Sequence, residues 1–66
     1  MRIWINGTAH DLEGSSVVAD ALSAAGFPER GVAVAVNGEV VPRARWAGTG
    51  LEDGARLEVL TAVQGG

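Results

Sequence analysis

Residues 32–46 read VAVAVNGEVVPRARW, and this stretch decides how the chain folds. Val32 to Val36 is apolar at every position and β-branched at every second one. That pattern predicts a strand inside a sheet, covered on both faces. Asn37-Gly38 follows, a pair that tolerates positive φ and so favours a tight type I′ hairpin turn. Glu39, Val40 and Val41 form the returning strand. Pro42 carries no amide hydrogen, which stops the ladder and suits the start of a helical turn holding Arg43 to Trp46. Trp46 reads as a packing residue, because a small core needs large side chains.

Working toward the N-terminus, the same turn signal recurs. Met1, Ile3 and Ile5 alternate with Arg2, Trp4 and Asn6, the period of a half-buried strand. Asn6-Gly7 then turns the chain into a second strand, Thr8 to Leu12, ended by Glu13-Gly14. Ser15 and Ser16 offer side-chain oxygens to cap a helix beginning near Val17. Val17, Ala21 and Ala25, flanked by Val18 and Leu22, make one apolar stripe along it. Gly26 suits the residue just past the helix end, and Pro28 prevents continuation.

Toward the C-terminus, Gly48, Gly50 and Glu52-Asp53-Gly54 punctuate a loop. A last strand follows, with Leu57, Val59 and Thr61 on one face and Arg56, Glu58, Leu60 and Ala62 on the other. The element order is strand, strand, helix, strand, strand, strand. One helix can cover one side of a sheet, so the fold class is α+β, a mixed five-stranded sheet with one helix packed across one face. Such a fold resembles the ubiquitin-like β-grasp, in which the first and last strands lie parallel at the centre. Parallel neighbours cannot be joined by a hairpin, and here the whole chain intervenes. Residues 1–62 form that domain, and residues 63–66 a flexible tail ending in Gly-Gly.

Composition narrows the function. The chain has 66 residues, of which 47% are hydrophobic and 20% charged, so it makes one globular domain with a thin core. It has no cysteine, which excludes disulfides, zinc-thiolate sites and thiol nucleophiles. The net charge of −3 and scattered arginines argue against nucleic acid. No apolar run approaches a membrane span of ~20 residues, and the opening residues are interrupted too early for a signal peptide. The expected location is the cytoplasm. All five cations are arginine; lysine is absent.

No conventional active site is expected. His10 is the only histidine and reads as solvated surface beside Asp11. The three serines, Ser15, Ser16 and Ser23, all belong to the helix segment. The carboxylates follow no metal-ligand spacing, and Glu52-Asp53 is turn chemistry. Gly48-Thr49-Gly50 lacks the lysine of a phosphate loop. The informative feature is the Gly65-Gly66 end. A tail without side chains can enter a channel where any Cβ would collide. On the dipeptide alone a frayed terminus explains the glycine pair as well. Read functionally, the end would deliver an ionised carboxylate as a nucleophile toward the α-phosphorus of ATP, and the acyl-adenylate so formed would be open to a sulfur or amine donor.

Taken together, VNGEVVPRARW from Val36 to Trp46 and LEDGARLEVLTAVQGG from Leu51 to Gly66 resemble the thiamine-pathway sulfur carriers of the ThiS family. The opening strand, the SVVADAL helix segment and the VAVAVNG strand are also family-like, so the likeness spans nearly the whole chain. Ala55 departs from the acidic residue such carriers often have after Asp-Gly, a change that touches nothing reactive.

The resemblance implies a protein that is not an enzyme and binds no cofactor of its own. Gly66 would be adenylated by an E1-like, ThiF-like partner that uses ATP, and then converted to a thiocarboxylate. Sulfur would come from a cysteine desulfurase or a rhodanese-type donor and pass to a ThiG-like thiazole synthase. Val63, Gln64 and Gly65 would be the tail that partners thread. Leu60 and Ala62 lie on the strand face opposite Leu57 and Val59, and are either a docking surface or covered by the loop bearing Trp46. The alternatives are carriage of sulfur for molybdopterin, cysteine or a secondary metabolite, ubiquitin-like modification of other proteins, and a plain β-grasp interaction module whose terminal glycines are incidental.

Overall fold

In a computed structural model the chain is described over residues 1–61. The order is β1 (Arg2–Ile5), β2 (Thr8–Asp11), α1 (Val18–Ala24), β3 (Val32–Val36), β4 (Glu39–Val41), a 3-10 helix (Arg43–Gly48) and β5 (Arg56–Thr61). The five strands form one sheet in the order β2-β1-β5-β3-β4. The first and last strands are parallel, with Trp4 opposite Arg56 and Ile5 opposite Leu57. All other pairings are antiparallel. This is the expected β-grasp, with the helix on one side of a mixed sheet.

The two Asn-Gly turns form as read: Asn6 and Asn37 both have φ of 51°, with Gly7 at 84° and Gly38 at 86°. Their side chains do more than tolerate the turn. The Asn6 carboxamide oxygen accepts from the Val59 amide at 2.9 Å, and its Nδ2 donates to the Val59 carbonyl at 3.0 Å. β1 has ended by then, so the side chain replaces the peptide group that would otherwise continue the parallel ladder. On the other side of β5, the Arg56 amide donates to Asn37 Oδ1 at 2.9 Å. Both turns therefore clasp the central strand, leaving its backbone groups paired beyond the ends of its neighbours.

The core lies between the sheet and α1. Ile3, Ile5, Val34, Leu57 and Val59 point from the sheet toward Val18, Ala21 and Leu22, and Trp46, Leu51 and Ala55 close the periphery. The Trp46 indole is 6% exposed and its Nε1 donates to the Val41 carbonyl at 2.9 Å, so the aromatic ring packs and its polar edge is satisfied. Ala55, the departure from the family pattern, is buried in this core.

Helix α1 is capped differently from the sequence reading. Neither Ser15 nor Ser16 supplies the cap: the Asp20 carboxylate accepts from the Val17 amide at 2.9 Å, and the Val18 amide donates to the Thr49 carbonyl at 3.0 Å. Ser16 is buried, and its carbonyl accepts from the Leu51 amide at 3.0 Å. A main-chain bridge from the loop after the 3-10 helix thus does the work expected of serine hydroxyls. The helix end follows the sequence. Gly26 takes φ of 81°, Phe27 donates to the Leu22 carbonyl at 2.9 Å and Gly26 to that of Ser23 at 3.1 Å, a Schellman closure.

The Asn6 clasp has a measurable consequence. Replacing either asparagine by glycine keeps the turn geometry and removes only the carboxamide. Asn6→Gly loses two part-buried hydrogen bonds and should cost about 2 kcal/mol, against about 1 kcal/mol for Asn37→Gly. Denaturant melts of the two variants check the ranking; an equal or reversed order would show that the Asn6 clasp carries no special weight.

Candidate functional site

β5 is the strand that leads toward the glycine pair, and its two faces differ sharply. Leu57 and Val59 are buried against the helix, while Arg56, Glu58 and Leu60 alternate onto the open side. Register across the sheet places Ala33 opposite Leu60, Ala35 opposite Glu58 and Val40 opposite Ala35. Trp4 stands opposite Arg56 on the other flank. These residues form one shallow concave apolar surface on the sheet face that the helix leaves uncovered.

Leu60 is 71% exposed and Val40 73% exposed, so Leu60 is not covered. The segment bearing Trp46 does not cover Leu60, because Trp46 is committed to the helix side. This also corrects the reading of Val32–Val36 as a strand covered on both faces. Val34 is buried, but Ala33 is exposed and Ala35 only half-buried. Alanine is too small to reveal from sequence whether its face is wet.

The patch is framed by charge. The Arg56 guanidinium lies 6.0 Å from the Trp4 ring centroid, over its face, a cation–π contact. Glu58 is the next outward residue on β5. At the far end of β1, Arg2 Nε donates to Asp11 Oδ1 at 2.9 Å. That hydrogen bond, and then the charge of Arg2, hold the Asp11 carboxyl below its ordinary range. The pair therefore helps the folded chain above that ordinary range and ceases to help as pH falls through the lowered value. Both side chains are well exposed, so the effect is slight.

The conventional catalytic groups are not brought together. His10 sits on edge strand β2 opposite Ile3, half-buried rather than fully solvated. Asp53 serves its turn, accepting from the Arg2 amide at 2.8 Å. Among the described residues no group of three or more histidine and acidic side chains could hold a metal ion, and no helix is long and apolar enough to cross a membrane.

Of the residues singled out from sequence, Leu60 is placed on the open face. Ala62, Val63, Gln64, Gly65 and Gly66 lie outside the described residues. Trp4, Ala33, Ala35 and Val40 were not anticipated as partners of Leu60. Trp4 could be assigned to the outward face of its strand, but only the strand order brings it beside β5. Thr61, the last described residue, is paired with Val32.

Comparison with known proteins gives these features a context. Over its whole length the chain is 35% identical to a thiazole synthase of Paramagnetospirillum magneticum, and it spans about a fifth of that relative. It is also similar to solved structures of a Geobacter metallireducens thiamine biosynthesis protein. The crystal structure of that protein (ThiS) superposes with a TM-score of 0.81 at 32% identity, covering all of both chains. Its NMR solution structure gives 0.77 at 33% identity, covering all of this chain and 88% of the other. The sequence model of the ThiS family matches residues 3–66, through the glycine pair itself, and the chain belongs to the ThiS family.

Proposed function

We propose that this chain is a sulfur carrier for thiazole formation in thiamine biosynthesis, and that its reactive group is the carboxylate of Gly66. The observation that carries the reading is the extent of the family match, which runs from the first strand through residue 66 and so includes Gly65 and Gly66.

The chemistry divides between carrier and partners. In the pocket of an E1-like, ThiF-like adenylating partner, a Gly66 carboxylate oxygen attacks the α-phosphorus of ATP, and pyrophosphate leaves. The resulting mixed anhydride has an electrophilic acyl carbon and AMP as its leaving group. The terminal sulfur of a persulfide on a cysteine desulfurase or a rhodanese-type protein attacks that carbon and displaces AMP. A thiol then cleaves the acyl disulfide so formed, releasing the thiocarboxylate and leaving the donor as a disulfide. Gly66 and Gly65 allow close approach to the reacting phosphorus because they carry no Cβ. Val63 and Gln64 complete the threaded segment. ATP use places the work in the cytoplasm.

Leu60, with Ala62 beyond it, forms the docking face of this reading. An exposed apolar surface on the strand that leads into the reactive end lets a partner grip the domain while the end enters its active site. A thiazole synthase as the sulfur acceptor is supported by the Paramagnetospirillum magneticum relative, which carries that name and contains a segment similar to this whole chain.

Intact-mass analysis tests the central step. With an adenylating partner, ATP and a sulfur donor, the protein should gain the mass difference of one oxygen replaced by sulfur. Removing Gly66 should abolish the gain without lowering the melting temperature. An unchanged mass beside a demonstrably active partner would refute the carrier reading, and adducts on other proteins would favour a modifier instead.

The docking face is tested separately. Leu60→Thr places a β-branched residue, well suited to an exposed strand position, and should change folding stability by no more than about 0.5 kcal/mol. It should weaken binding to the adenylating partner by roughly tenfold, the loss typical of an interface residue worth more than 1 kcal/mol. Titration calorimetry reads the affinity; no change would remove Leu60 from the interface.

A further inference from the structure

We infer that this chain is kept free of side-chain amines so that its activated C-terminal acyl group finds no acceptor in its own kind. The inference rests on the carrier reading above, since it concerns the fate of the acyl-adenylate. Its starting observation is compositional: all five cationic side chains are arginine and none is lysine.

The two cations differ in the property that matters here. A lysine ammonium, with a pKa near 10.4, always holds a small fraction of free amine at neutral pH. That amine attacks an acyl carbon: the nitrogen lone pair forms the amide bond, the C–O bond to AMP breaks, and the amine's proton passes to water. Guanidinium remains protonated and delocalised, so it offers charge and hydrogen bonds without a nucleophilic lone pair. Arg2 pairs with Asp11 and Arg56 stacks on Trp4, and both roles are filled without introducing an amine.

The fold also keeps the α-amino group of Met1 away. The α-amino group of Met1 donates to the Leu12 carbonyl at 2.7 Å. β1 and β5 are parallel with Trp4 opposite Arg56, so Met1 lies at the opposite end of the sheet from Thr61. Along the strand direction that register separates their levels by eight residues, about 26 Å. Residues 62–66 span at most about 17 Å even fully extended. Within one molecule the activated end therefore cannot reach its own N-terminus.

Arginine-to-lysine variants test this without altering net charge. Arg30 is exposed and stands two residues before Val32, the strand partner of Thr61. An amine there would be tethered near Thr61, from which the last five residues continue, at an effective concentration toward them on the order of millimolar. Arg30→Lys, and a second variant with all five arginines replaced by lysine, are incubated with the adenylating partner and ATP but no sulfur donor. Activation is followed by pyrophosphate release and by trapping with hydroxylamine.

The variants should accumulate an internally acylated product, lighter than the free protein by one water, at ten or more times the wild-type level. Peptide mapping should place the new amide between the substituted position and Gly66. Variants that are activated as fast as the wild type yet form no such amide would overturn the inference while leaving the carrier reading intact. Abundant self-acylated wild-type protein would overturn it as well. A wild-type chain that is never activated would instead refute the carrier reading, and this inference with it.

Discussion

The parallel pairing of β1 with β5 is the constraint on which the rest of this fold depends, and the side chain of Asn6 extends it. A parallel ladder needs partners for every amide and carbonyl along the inner strand, but β1 stops at Ile5 to make a hairpin. The Asn6 carboxamide then supplies a donor and an acceptor to Val59, standing in for a peptide group. With β5 held on that side and by β3 on the other, Leu57 and Val59 are fixed toward α1. The opposite face of the same strand must then carry Arg56, Glu58 and Leu60 outward. The buried core and the exposed patch are two consequences of one register.

That register links folding to the proposed function. Alternation along β5 lets one strand hold the core together while its other side chains stay exposed, free for the docking role proposed above. β5, which precedes the proposed reactive end in sequence, is the middle strand of the sheet and is paired on both sides. A firm root suits an end that has to be presented to successive partners.

Much of this architecture was legible in the sequence because its signals are local. Asn6-Gly7 and Asn37-Gly38 demand positive φ, Gly26 marks the helix end, and alternation from Leu57 to Thr61 separates the two faces of β5. What was not legible depends on contacts between distant residues. The clasp of Asn6 on Val59 joins positions 53 apart, and the helix cap uses the Thr49 carbonyl rather than a neighbouring serine. Val32–Val36 was read as doubly covered because alanine is compatible with either a dry or a wet face. The patch of Trp4, Ala33, Val40 and Leu60 exists only once the strand order is known. For Gly65 and Gly66 the signal is chemical, and it comes from the family pattern rather than from the fold.

If sulfur travels on this chain, a transfer experiment can follow it there. The protein is loaded with heavy-isotope sulfur, freed of donor and adenylating partner, and presented to thiazole synthase with its other substrates. The label should leave the carrier and appear in the thiazole ring, with the Gly66 carboxylate regenerated. Thiazole formed without the label, or a label that stays on the carrier while the synthase turns over, would contradict the carrier reading.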